Sequence, residues 1–191
     1  MGRWEPDARG RLAKAAMALY AEQGFEQTTV AEIAARAGLT ERTFFRHFVD
    51  KREVLFYGMD RLRDLLARAV ADAPASATAM DAVGAAFEAA GAMFQENPER
   101  VRLRDAIVSA NAELRERELI KLAAFAAAVA GALRDRGIPE PAASLAAETG
   151  VAVFKVAFAR WVSDPGQPDL PGIFRESMAE LRGALGDRAP V

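Results

Sequence analysis

Cysteine is absent from this chain. That excludes disulfides, thiolate metal sites and a cysteine nucleophile, and it suits a reducing cytoplasm. Histidine occurs once, at His47. There is no H-E-x-x-H, no phosphate-binding glycine loop and no carboxylate pair beside a base, so catalysis is not expected and neither a metal nor a cofactor is implied. β-Branched residues are sparse, which disfavours sheet. No uncharged apolar run reaches about 18 residues, and "AAFAAAVAGAL" (123–133), the nearest approach, is too short to span a membrane. The opening "MGRWEPDARGRL" lacks the apolar core of a signal peptide, so the expected location is cytoplasmic, with no membrane partner.

What remains is helix-forming. Ala, Leu, Glu and Arg dominate a chain that is 51% hydrophobic and 27% charged, a composition that folds and favours helix nearly everywhere. The net charge is −2 and the pI about 5.6, which argues against a globally basic nucleic-acid binder but leaves room for a local basic patch.

The pattern predicts an all-α protein of about nine helices. Asp7 caps a first helix, which Gly24 ends at a left-handed C-cap, with Phe25 folding back on it. Thr29 and Glu32 form a capping box for a short second helix through Ala37. Gly38 permits a sharp turn, and Thr40 caps a third helix from Glu41 to His47 or Phe48. Asp50 and Glu53 read as another box, opening a long helix to about Ala71. Further helices are expected at about 77–95, from Glu99, at 112–136, at 142–163 and from about 170 to 186. The expected division is 1–52 and 53–191.

Two short helices joined by a tight glycine turn, behind a supporting helix, are a helix-turn-helix pattern. "GLTERTFFRHFVDK" (38–51) mixes three phenylalanines with cations. On a helix, Phe44 and Phe48 share one face and Arg42 and Arg46 another. The aromatic pair anchors; Glu41, Arg42, Thr43, Phe45 and Arg46 face outward. Arginine takes guanine O6 and N7 bidentately, and Thr or Phe can touch a thymine methyl. His47 and Lys51 flank this face and are placed for phosphates.

Residues 15–56, with G-F after the first helix, T-T-V-x-x-I-A, A-G-x-T, T-F-F-R-H-F and D-K-x-x-L, resemble the N-terminal domain of the tetracycline-repressor (TetR-type) family of bacterial regulators. The resemblance implies a homodimer on double-stranded operator DNA, usually a repressor, released by a small-molecule effector. By it, Thr29, Thr43, Phe45, His47 and Lys51 fall where family members touch DNA. The position of Phe45 is often tyrosine in the family, whose hydroxyl bonds a phosphate, and phenylalanine cannot do this. "ELRERELIKLAAFAAAVAGALRDRG" more loosely resembles actinobacterial regulators of the mycofactocin-system type, some of which sense acyl-CoA esters.

In the larger half, Phe87, Met93, Phe94, Phe125, Phe154 and Phe158 are candidate walls of an effector pocket, against ordinary core packing. Lys155, inside "VAVFKVAFARW", has three readings: snorkelling to the surface, pairing with Glu148, or meeting an anionic ligand. The Arg100, Arg102, Arg104 cluster suits a phosphate-bearing ligand or a solvated face. Val151, Phe154, Phe158, Trp161, Phe174, Met178 and Leu181 suggest a four-helix dimer interface. The alternative function is a helical adaptor, or an activator without an inducer; outward Arg42, Phe45 and Arg46 suit an adaptor surface poorly.

Overall fold

The computed structural model describes residues 7–164, 166 and 169–186. Among them are nine α-helices, one 3-10 helix and no strand. The chain forms two compact units: residues 1–58 with 99–118, and 59–98 with 119–191.

In the first unit, α1 (Ala8–Gln23) starts where the Asp7 carboxylate accepts the Gly10 N–H at 2.8 Å. It ends at Gly24, whose φ of 88° suits a residue without Cβ. Phe25 does fold back, meeting Tyr20 edge-on at 5.2 Å. The Thr29–Glu32 box is formed in both directions and opens α2 (Val30–Arg36). Gly38 turns the chain at φ 66°, and Thr40 accepts from the Thr43 N–H to open α3 (Glu41–His47). Leu12, Ala16, Ile33, Ala34 and Phe44 form the core that α1, α2 and α3 share.

The long helix expected from Asp50 to Ala71 is broken. Asp50 caps a short 3-10 helix, Glu53–Phe56, by accepting the Arg52 and Glu53 N–H groups. Tyr57 is then extended, Gly58 turns at φ 97°, and α4 starts only at Met59 (Met59–Ala71). The glycine allows a positive φ that ends the helical path, and the Glu53 side chain turns away to Arg117 instead of closing the box. The same unit holds most of α6 (Pro98–Ala110) and the first turns of α7 (Ala112–Asp135).

The second unit contains α4, α5 (Ala79–Gln95), the rest of α7, α8 (Ala142–Ser163) and α9 (Leu170–Gly186). A Thr78–Asp81 capping box opens α5. Helix α5 packs on α4, α8 and α9, and glycines on α8 and α5 are used for close approach. A Cβ on Gly150 would lie 2.4 Å from Val83 and 2.7 Å from Phe87, and one on Gly91 would lie 3.2 Å from Pro171. α8 is the one described helix long and apolar enough to cross a membrane. Its apolarity has a local cause: Ala143, Ala146, Ala147, Gly150, Phe154, Ala157 and Trp161 are buried against protein.

Candidate nucleic-acid interface

The two faces read in the sequence of α3 are the two faces it presents. Phe44 and Phe48 are buried, at 0% and 3% exposure, with ring centroids 5.6 Å apart. Glu41, Arg42, Phe45 and Arg46 are exposed, and Thr43 and His47 are half-buried. Phe45 stands 56% exposed, a cost in water that contact with another surface would relieve. Neither Arg42 nor Arg46 has a carboxylate partner among the described residues. Other arginines of the same unit do: Arg36 pairs with Glu22 at 2.7 Å, Arg52 with Glu113 at 3.1 Å, and Arg117 with both Asp50 and Glu53. These three arginines are neutralised by carboxylates, whereas the two on the outer face of α3 are left open.

Three other expected contacts are committed inside the unit. The Thr29 hydroxyl donates to Glu32 Oε2 at 2.8 Å and accepts the Glu32 N–H, so it closes the α2 cap. The Thr43 hydroxyl shares a hydrogen bond of 3.1 Å with Thr40. Lys51 departs furthest from expectation. Its ammonium has three N–H donors, and the carbonyls of Phe25, Glu26 and Thr28 take them at 2.9, 3.0 and 2.9 Å. It also lies 4.7 Å from the centre of the Phe25 ring, while its own carbonyl accepts the Tyr20 hydroxyl at 2.8 Å. That side chain pins the α1–α2 loop. Burial, helped by Asp50, pushes the Tyr20 phenol well above its ordinary range, so it stays a donor.

His47 Nε2 is enclosed without a partner. Burial first, and then the charges of Arg46 and Arg9, hold the imidazole below its ordinary pKa, so it is neutral at pH 7. Arg9 was not singled out in the sequence. Its guanidinium lies 5.4 Å from the ring centres of both Phe48 and Tyr57, adding an exposed cation beside α3. An arginine at the second position of the first helix carries no motif, so only the packing finds it.

Residues 12–57 match the family of bacterial regulatory proteins, tetR family. A curated relative, the HTH-type transcriptional regulator TcmR of Streptomyces glaucescens, is 36% identical over 81 residues, which span 42% of this chain and 36% of TcmR. Over nearly the whole chain the fold is that of known tetR-type structures. Thermus thermophilus FadR, a TetR-family repressor solved with lauroyl-CoA, superposes with a TM-score of 0.62 at 23% identity, covering 96% of this chain and 98% of FadR. SmeT, the repressor of the Stenotrophomonas maltophilia multidrug efflux pump SmeDEF, solved with triclosan, gives 0.66 at 24% identity, covering 96% of this chain and 95% of SmeT. The looser mycofactocin-type resemblance of residues 113–137 is not shown by these relatives.

The candidate effector residues fall into three groups. Phe87, Phe125 and Phe154 are buried in the second unit, and Met93, Phe94 and Phe158 are half-buried. A ladder of rings joins Phe87 to Phe154 at 5.3 Å, Phe154 to Phe158 at 6.0 Å and Phe94 to both at 5.8 and 5.7 Å. Phe174 and Trp161, expected on a dimer face, belong to this ladder, and Val151 and Met178 are buried with them. These side chains are interior because the α8 face carrying them packs on α5 and α9. The outward α8 stripe is Leu145, Ala152, Val156 and Ala159.

Lys155 is exposed on that outward side, so its charge does not lie among the rings. No ion pair joins it to Glu148, since seven residues of helix rise about 10 Å. Of the basic cluster, Arg104 lies in the first unit, paired with Glu118 and 5.1 Å from the centre of the Phe56 ring.

Proposed function

We propose that the protein is a ligand-responsive, DNA-binding transcriptional regulator, a repressor released from its operator by a small apolar or anionic molecule. Residues 1–52 read the DNA; 53–191 carry the effector and dimer contacts. The observation that carries this reading is the outer face of α3: two unpaired arginines flanking an exposed phenylalanine, on a helix held by two buried rings. Arg42 and Arg46 are assigned to guanine edges, Phe45 to a thymine methyl or sugar, and Glu41 and Thr43 to the rim of the same contact. The tetR match over 12–57 supports the assignment.

Phosphate contact passes from the Lys51 ammonium to Arg9 and to His47, which would take up a proton against a phosphate. The ring ladder from Phe87 to Phe158 is the proposed wall of the effector site. Support comes from the lauroyl-CoA and triclosan that FadR and SmeT hold in their structures. A homodimer would cover the α8 stripe Leu145, Ala152 and Val156. Its two α3 helices would need a separation of about 34–36 Å, or a multiple of one turn, to enter successive major grooves. A cytoplasmic location and the absence of catalysis belong to the same reading.

The test is a selection from random duplexes with the full-length protein, followed by titration of the enriched sequence. Enrichment of a two-fold symmetric site supports the reading. No enrichment, with binding no tighter than the non-specific range of about 10⁻⁴–10⁻⁶ M, contradicts it.

A further inference from the structure

In the first unit, the segment that follows α3 is tied to the start of α7 by crossed charges. Arg117 Nη1 donates to Glu53 Oε1 at 2.9 Å, and Nη2 donates to Asp50 Oδ2 at 3.2 Å. The other Asp50 oxygen accepts the N–H groups of Arg52 and Glu53 at 2.8 and 3.0 Å, so one carboxylate both caps the 3-10 helix and receives the guanidinium. One turn earlier on α7, Glu113 pairs with Arg52 at 3.1 Å. The signs alternate between the two ties. A slip of α7 by one turn, about 5.4 Å, would lose both partners and bring like charges together. The Arg117, Asp50 and Glu53 side chains are 34%, 31% and 30% exposed, so the tie is half-buried and linked, unlike an isolated surface pair.

Asp50 lies three residues beyond the end of α3, and Phe48 between them is buried in the core. The Asp50 tie therefore bears directly on the angle at which α3 leaves that core. α4 is separated from the same point by the 3-10 helix and the Gly58 turn. α7 is a single helix of 24 residues that begins in the first unit and ends in the second.

We propose that Arg117 is a positioning residue for DNA reading, and that α7, through Arg117 and Glu113, is the rod that sets the orientation of α3. The inference rests on the proposed DNA-binding function. Arg117 touches no phosphate in this scheme, so its loss slackens the α3 angle without removing a charge contact.

The experiment uses the full-length protein and the duplex that it enriches from a random pool, together with the same duplex lengthened by one base pair between half-sites. Arg117→Gln is compared with the wild type. The expected result is an affinity loss of about tenfold on the enriched duplex, an unchanged slope against salt, and a spacing penalty clearly smaller than that of the wild type. Arg117→Lys, which keeps the charge but not the two-pronged geometry, should fall between the two. It also serves if the glutamine variant does not fold.

A wild-type affinity and spacing penalty in a folded Arg117→Gln protein would overturn the proposal while leaving the DNA reading standing. An equal loss on both duplexes, tracking a lowered Tm, would also overturn it, because that is loss of fold and not of positioning. If the wild type enriches no duplex, the DNA reading fails first and the positioning role with it.

Discussion

The two units solve the same problem, fixing helices in place, with different chemistry. The first uses directional bonds: the Thr29–Glu32 box, the Lys51 ammonium on three carbonyls, the Tyr20 hydroxyl on the Lys51 carbonyl, and the Arg117 tie. The second has directional bonds of its own, the Thr78–Asp81 box and the Arg136 guanidinium on the Ala71, Ala73 and Pro74 carbonyls, and adds shape: six linked rings and glycines at contacts with no room for a Cβ. Directional bonds fix angles, which the proposed DNA-reading role of α3 needs. Packing by shape excludes water and presents apolar walls, which suits the proposed effector site.

The largest expected effect tests the packed side. Phe87 is buried and stacks with Phe154 and Phe174. Phe87→Ala should cost about 3–5 kcal/mol in urea unfolding. A cost below about 1 kcal/mol would mean that the ring ladder is loosely filled already. Next, Gly150→Ala pushes a methyl into Val83 and Phe87 and should cost about 1–3 kcal/mol by the same measurement.

On the directional side, Lys51→Ala should lower Tm while leaving the salt slope of DNA binding within error. A slope reduced by about one unit would return the ammonium to a phosphate. Thr29→Ala should cost about 1 kcal/mol through the lost cap.

The smallest effect is in pH. The unfolded chain protonates His47 near its ordinary pKa of about 6.5, whereas the folded chain holds it lower. The stability associated with neutral His47 is complete above that value and falls as pH drops through the depressed folded pKa. His47→Gln should lack this part of the acid-side decline. Parallel pH–Tm curves for the two proteins would show that the imidazole is unperturbed.

This contrast also explains what was legible in the sequence. Caps are local, so Asp7, Thr29 and Thr40 announced the first three helices, and the i, i+4 spacing of Phe44 and Phe48 announced the anchored face of α3. The break after Phe56 was hidden because Gly58 sits in an otherwise helical pattern, and only its φ of 97° shows that it ends the path. Lys51 read as a free cation because its partners are backbone carbonyls, which leave no trace in residue identity. The intrachain burial of the residues expected on a dimer face was hidden for a similar reason. Aromatic residues mark burial without saying whose surface buries them, and here the same chain does, leaving Leu145, Ala152 and Val156 outward.

The most direct test is a titration of the enriched duplex with the wild type and with the Arg42→Ala/Arg46→Ala double variant, alongside their unfolding curves. The expected result is about 1–3 kcal/mol of affinity lost for each arginine, relaxed base preference at one symmetric pair of positions for each, and unchanged stability, since both side chains are exposed and unpaired. Wild-type affinity and an unchanged base preference in the double variant would contradict it, and would place sequence reading away from the outer face of α3.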